Sequence, residues 1–316
     1  SSSRSIAAIA NVITTQDLGQ RYTSKSYLLD VYPNIASQLG ARKSPGLFTW
    51  GSNVYGQLGN GNTTNQSTPV DVTTNWGGGG SAIQKVIGGS CYHDGTTASA
   101  AGWAGILFTN GVFKTSGYNG YGQLGTSNYT NYSSPVQIGS NLWTQVAGGY
   151  YHTVAIQSGG TLWAWGRNNN GQLGTSDIID RLSPVQIGSN LWSQVAGGYY
   201  HTLAIQSGGT LWACGYNLYG QLGNGTTVSY SSPIQFGNST WKTASSYNTF
   251  LGIKSNGTLW VTGDNRYGAS GLGITTGKTS VFTKVGTNTN YTSIAILQND
   301  IPVDTTTSYA IVLAQP

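Results

Sequence analysis

The stretch Ser134-Pro-Val-Gln-Ile-Gly-Ser-Asn-Leu-Trp-Thr-Gln-Val-Ala-Gly-Gly-Tyr-Tyr-His152 returns 49 residues later as Ser183 to His201, with Ser193 for Thr144 as its single change. The run Ala155 to Ala164 returns in the same way as Ala204 to Ala213. Self-similarity at a fixed period of this size is the mark of a repeat architecture. Each unit parses into short strands. Trp143 to Val146 alternates, Gly148-Gly149 breaks the run, and His152 to Gln157 alternates again, with Val154 and Ile156 on one face and Thr153 and Ala155 on the other. Ser158-Gly159-Gly160 reads as a tight hairpin, Leu162 to Trp165 as the next strand, and Asn168 to Gly171 as a turn of residues that tolerate positive φ. No amphipathic helix interrupts the units. Even, short strands with Gly and aromatic residues in every unit predict a β-propeller, whose small sheets bury their faces only by stacking on one another.

A second marker fixes the count. Gly-Gln-Leu-Gly begins at Gly56, Gly122, Gly171 and Gly220, and a degraded copy starts at Tyr267. The interval from Gly56 to Gly122 is longer than the others, and the excess is placed at Asp94 to Gly105, a Gly/Ala/Thr-rich loop. These turns number five. The first unit, from Gly46, has the end of a blade without its early strands. The last, Phe282 to Ile296, has early strands without a final Trp-Gly. The two halves predict one shared blade that zips the chain ends together and removes a free sheet edge.

The units resemble the repeats of the regulator of chromosome condensation family. The family's pattern of Trp-Gly, turn, Gly-Gln-Leu-Gly, Pro-Val and Val-Ala-Gly-Gly-x-x-His is met by Trp50-Gly51 with Gly56 to Gly59 and Pro69-Val70. It is met again by Trp165-Gly166 with Gly171 to Gly174 and Pro184-Val185, and by Cys214-Gly215 with Gly220 to Gly223 and Pro233-Ile234. The likeness covers about residues 47 to 300 and implies a propeller of four-stranded blades. The best-known members have seven repeats, and this chain departs from them. The expected fold is therefore all-β, a propeller of about five four-stranded blades. The domains are an N-terminal arm over 1–46 and the propeller over 47–316.

Charged residues make up 7% of the 316, against roughly 25% in an ordinary globular protein. All nine acids are Asp, the fourteen Lys and Arg are scattered, and the formal charge is +5. That balance reflects a shortage of acids, and no basic stripe suited to nucleic acid is present. Cys91 and Cys214 stand at different repeat positions and form no Cys-x-x-Cys pair, which argues against a cysteine zinc site. The chain has no Met, so an initiator has been removed or the chain is a processed fragment. The apolar run Ile6 to Ile13 is too short to span a bilayer.

The residues that invite a metal or hydrolytic reading have structural explanations. His93, His152 and His201 look like a metal set but occupy one repeat position, with Thr249 as the fourth equivalent. They read as structural histidines within blades, as do Trp50 and Trp165 and the turn glycines Gly56, Gly122, Gly171 and Gly220. Asp177 and Asp180 flank a loop and are placed to pair with Arg181. No nucleophile elbow, phosphate loop or metalloprotease motif occurs. The expectation is no enzyme, no metal and no cofactor. The binding residues expected are Tyr55, Tyr121, Tyr150, Tyr199, Tyr219 and Tyr267, with Arg167. Tyr among Asn and Ser makes a contact surface for glycan or protein when it is not used for packing.

Residues 1 to 46 lack the repeat yet carry enough apolar residues to pack on something, which predicts a docking arm. An arm before propeller repeats, on a hydroxyl- and amide-rich chain, also resembles the layout of phage structural proteins. The function expected on that layout is a virion structural protein, a phage tail fibre, appendage or capsid decoration, located in a virion or outside the cell. Its partners would be other copies of itself, other virion proteins and a host-surface glycan. The alternative is a protein-interaction propeller of the kind that acts as a guanine-nucleotide exchange factor.

Overall fold

The structure is a computed structural model that describes residues 46–77, 82–89, 102–246, 249–266, 268–274, 277–299 and 307–314. The arm expected over 1–46, with its docking role, lies outside these residues except for Gly46. Every regular element described is a strand. The chain opens with β1 (Phe48–Gly51) and β2 (Gln66–Asp71), which pair with each other. A four-stranded antiparallel sheet comes next, made of β3 (Ile83–Gly89), β4 (Trp103–Phe108), β5 (Phe113–Gly117) and β6 (Tyr132–Gln137). After it come β7 (Trp143–Gly148), β8 (His152–Gln157), β9 (Thr161–Gly166), β10 (Arg181–Gly197), β11 (His201–Gln206) and β12 (Thr210–Gly215). β13 (Tyr230–Ser246), β14 (Thr249–Lys254), β15 (Leu259–Asp264) and β16 (Lys278–Val285) complete a ten-stranded run, and β17 (Tyr291–Asn299) with β18 (Thr307–Ala314) ends the chain.

The ten-stranded run is three blades in series. The first half of β10 pairs with β9 (Val185 opposite Ala164), and its second half pairs with β11 (Val195 opposite Ala204). β13 does the same between β12 and β14. Each long strand therefore leaves one blade as its last strand and enters the next as its first. Gly188 and Gly237 mark the crossings with φ of 60° and 55°. The second and third strands of a blade have both faces covered, which is why β8 and β11 are buried along almost their whole length, polar His and Thr included.

The core lies between blades. Trp143, Val146 and Ala155 of one blade pack with Ile87, Trp103, Leu107 and Phe113 of the blade before. Trp192 and Val195 pack with Val154, Ile156 and Leu162, and Trp241 and Phe250 with Leu203 and Leu211. Trp76 and Val72 of the β1–β2 unit join Ala104, Ile106 and Phe108. At the far end Leu251 and Val261 take Tyr291 and Ile294 of β17. Stacking thus runs in sequence order from β1 to β17. Glutamines on the first strands strap neighbours together. Nε2 of Gln84 donates to the Thr144 carbonyl at 3.1 Å and that of Gln145 to the Ser193 carbonyl at 2.6 Å, and Gln194 donates to the Lys242 carbonyl.

Two expectations are corrected. The described sheets are not closed into a ring. β17 takes β18 as its partner, from Tyr291↔Ala314 to Asn299↔Thr307, while β1 takes β2, so the predicted shared blade stands as two separate pairs. Pairing strands separated by 14 residues (β1 and β2) or 7 (β17 and β18) closes a much shorter loop than joining the two ends of the chain, and costs less entropy. Four complete four-stranded blades are described, with a two-stranded unit at each end. The insertion expected at Asp94 to Gly105 ends before β4, because Trp103 to Gly105 are strand residues. Trp103 pairs with Gly117 as His152 pairs with Gly166, so Trp103 holds the histidine position and the extra residues precede β4. His93 and Cys91 lie outside the described residues.

The turn after each third strand is organised by a buried asparagine. Oδ1 of Asn168 accepts from Leu173 N at 2.9 Å, and its Nδ2 donates to Thr175 Oγ1 at 2.9 Å and to the Asp177 carbonyl at 3.0 Å. Asn53, Asn119, Asn217 and Asn265 repeat the pattern. Replacing Asn168 by Ala strands a buried backbone N–H and leaves a half-buried carbonyl without its donor. Urea unfolding should show a loss of about 2–4 kcal/mol, while Ala at exposed Asn169 should change stability by less than about 0.5 kcal/mol.

Candidate functional site, a tyrosine and arginine face

At one end of every blade the first strand stops, the second begins and the third ends. The third strand closes on a glycine of positive φ, Gly117, Gly166 and Gly215 at 106°, 102° and 104°. A Cβ on Gly166 would lie 2.5 Å from the Tyr151 carbonyl and 2.8 Å from His152 Cα, so only Gly fits. The next residue is clamped to the start of the second strand. Arg167 N donates to the Tyr151 carbonyl and Tyr216 N to the Tyr200 carbonyl, both at 2.8 Å, and Tyr118 N to the Gly102 carbonyl at 2.9 Å. Further into the turn, a glutamine side chain holds a tyrosine amide. Oε1 of Gln123 accepts from Tyr121 N and that of Gln221 from Tyr219 N, each at 3.0 Å, as Gln57 does for Tyr55. The rest of the turn passes under the neighbouring blade, where a Cβ on Gly171 would clash with the Ser231 backbone.

These devices set tyrosines from successive blades edge to edge. Tyr55 lies 4.9 Å from Tyr118, and Tyr121 4.6 Å from Tyr151. Tyr150 sits 4.0 Å from Tyr151 and stacks on Tyr199 at 4.3 Å, which meets Tyr200 at 4.2 Å. Tyr200, Tyr216 and Tyr219 continue at 6.2 and 6.1 Å. The guanidinium of Arg167 lies 4.5 Å over Tyr121, 5.4 Å over Tyr200 and 5.6 Å over Tyr151, and that of Arg266 4.7 Å over Tyr219. Except for Tyr150, which is buried, the tyrosines of the array are half-buried. Burial raises the Tyr150 and Tyr199 phenols and pushes Tyr151 up to about 12, so the rings stay protonated at neutral pH.

Of the residues expected to bind, Tyr55, Tyr121, Tyr150, Tyr199, Tyr219 and Arg167 fall in this one array, and Tyr267 lies outside the described residues. The expected set did not include Tyr151 and Tyr200, which follow Tyr150 and Tyr199, and sequence reasoning missed Tyr118 and Tyr216. The latter two occupy the position after the strand-ending glycine, where other units have Ser52, Arg167 and Asp264, so no repeat signal marks it. It also missed Arg266, whose side chain makes an ion pair with Asp264 at 2.8 Å.

The structural positions behave as packing groups. His152 and His201 are fully buried, and Nε2 of His152 lies 3.0 Å from Thr202 Oγ1 in the next blade. Trp165 is buried and donates to the Gln123 carbonyl at 3.0 Å, and Cys214 faces the Gln172 carbonyl at the same position one blade on. Trp50 is half-buried. Asp177 pairs with Arg181 at 2.5 Å, whereas Asp180 accepts from Asn168 N at 2.7 Å. Burial lowers His152 to about 4 and His201 to about 3 from an ordinary 6.5. Between the lowered and the ordinary value the unfolded chain holds more protons than the folded one, so this contribution to stability is full above pH 6.5 and is lost as the pH drops. Unfolding free energies from urea titrations at pH 7.5, 6 and 5 should decline by about 1.4 kcal/mol per pH unit for each histidine once below pH 6. His201→Gln should flatten that slope.

The architecture is that of a repeat propeller with a loop-built tyrosine and arginine face at one end of its blades. Comparison with known proteins agrees. The Regulator of chromosome condensation (RCC1) repeat matches residues 46–92, 115–156, 159–205 and 208–245, more than half of the chain, and a second description of that repeat matches 143–172 and 192–221. The chain belongs to the RCC1 repeat family. It is 30% identical over 125 residues to the ultraviolet-B receptor UVR8 of Arabidopsis thaliana, a match that covers 38% of the chain and 25% of the receptor. Among solved structures it resembles human WBSCR16, with a TM-score of 0.65 at 20% identity over 79% of the chain and 64% of that protein. It also resembles Prp20p of Saccharomyces cerevisiae, studied for its binding to Gsp1p and histones, with a TM-score of 0.67 at 18% identity over 86% of the chain and 65% of that protein. In all three cases the chain spans less than two thirds of its relative. These relatives are cellular proteins of plant, human and yeast, and the virion reading, its phage partners and its virion or extracellular location are withdrawn.

Proposed function

We propose that this chain is a protein-interaction propeller of the RCC1 type that docks a partner protein on the tyrosine and arginine face, binding and not catalysing. The observation that carries the reading is the continuity of the array. Nine tyrosines and two arginines from five successive repeat units meet at one end of the blades. Tyr and Arg are enriched, with Trp, at the residues that carry most of the binding energy in protein interfaces, and Tyr offers large contact area with a polar handle at low entropic cost. Among the described residues no three His, Cys, Asp or Glu gather as a metal centre would require, and His152 and His201 are consumed by blade packing.

A photo-crosslinking residue placed at Tyr121 or Tyr219, in an extract of the source organism, should give protein adducts of discrete mass. The same residue at Ser158, exposed on the hairpin at the opposite end of a blade, should give none. Adducts of equal yield from both ends would remove the face from consideration. Tyr121→Ala should weaken the captured partner by about tenfold or more. Guanine-nucleotide exchange is the second reading, favoured by the likeness to Prp20p. Accelerated release of a fluorescent nucleotide from a small GTPase by the purified chain would select it.

A further inference from the structure

Arg167 holds a charge that the repeat scaffold does not require. Its backbone N–H makes the repeat's standard bond to the Tyr151 carbonyl, and Tyr118 and Tyr216 make the equivalent bond with no cation at that position. The blades that carry Arg167 and Tyr216 are nearly identical in sequence and in register, yet one has Arg and the other Tyr at this position. The guanidinium meets three ring faces and, among the described residues, no carboxylate. The four described carboxylates are engaged elsewhere. Asp71 takes Thr73, Asp177 takes Arg181, Asp180 takes Asn168 N, and Asp264 takes Arg266. Ring faces hold a guanidinium flat while leaving its N–H fork free at the edge.

We propose that Arg167 is the anion seat of the face, and that the partner protein inserts one Asp or Glu side chain there, flanked by apolar residues that lie on the tyrosines to either side. This rests on the interaction reading above and names the chemistry of its partner. A guanidinium presents a planar fork that fits a carboxylate with two parallel bonds. The phenols around it carry O–H groups that can donate to the same anion. Among the described residues the seat is single, because the other arginine of the array is already neutralised by Asp264. One such cation in a long aromatic band suits an isolated acid in a protein segment. A nucleic acid strand, charged at every nucleotide, would ask for a row of cations. In a second copy of this chain, Asp177 and Asp264 are already paired with Arg181 and Arg266.

The test selects peptides from a random dodecapeptide display library on the full chain. It then titrates the best synthetic peptide and its acid-to-amide analogue by calorimetry. Enriched sequences should share one Asp or Glu at a fixed place, and Glu→Gln in the peptide should cost about tenfold or more in affinity. Arg167→Tyr, which copies the neighbouring blade and so preserves the fold, should abolish the difference between the two peptides. Lys242→Gln, an equal loss of charge at the opposite end of a blade, should preserve it. Enriched peptides without an acid that still need Tyr121 would sink the carboxylate seat and leave the interaction face standing. Peptides indifferent to both Arg167→Tyr and Tyr121→Ala would sink both. Tighter binding of an oligothymidylate than of the acidic peptide, lost in Arg167→Tyr, would overturn the proposal in favour of a phosphate ligand.

Discussion

One side-chain amide per repeat unit holds the irregular half of this protein together. Asn53, Asn119, Asn168, Asn217 and Asn265 sit fully or almost fully buried beneath the turn that comes after each third strand. Each accepts from the backbone N–H five residues on and donates to oxygens further along, so that a loop with little regular structure has its polar groups satisfied. The loop is fixed without a hydrophobic core of its own. That rigidity is transmitted to Tyr55, Tyr121 and Tyr219, whose backbone is tied two residues from the same turn.

Stacking supplies what a single blade lacks. A four-stranded sheet of this size exposes two apolar faces, and the tryptophans on the first strands, Trp143, Trp192 and Trp241, close each gap to the blade before. Within two of the blades the same rings also lie edge-on to a tryptophan of the third strand, Trp143 to Trp163 and Trp192 to Trp212, at 6.1 and 6.0 Å. All these interfaces join neighbours in sequence. The fold is assembled from contacts of moderate sequence separation, one blade after another, as repeat proteins are.

The face obeys a different rule from the scaffold. At the position after the strand-ending glycine the five units carry Ser52, Tyr118, Arg167, Tyr216 and Asp264 on the same backbone geometry. The repeat demands a main-chain bond there and leaves the side chain open. Specific binding can therefore reside in positions where the repeats differ, while the positions where they agree maintain the blades. The family defines a scaffold, and the site decides what it holds.

The amino-acid sequence by itself determined the period, the strands within it and the turns, because Gly-Gln-Leu-Gly and the alternating runs act locally through φ preferences and burial of alternate side chains. It also offered Tyr55, Tyr121, Tyr150, Tyr199, Tyr219, Tyr267 and Arg167 as candidate binding residues, of which Tyr150 is buried and Tyr267 lies outside the described residues. Local pattern could not show that Trp103 stands where His152 does, since that depends on the pairing of Trp103 with Gly117 across the sheet. Nor could it show that β17 would find β18 before β1. Only the tertiary structure brought Arg167 between Tyr121, Tyr151 and Tyr200, residues of three successive repeats. Their meeting is set by how blades stack, and stacking is a distance in space that no spacing along the chain records.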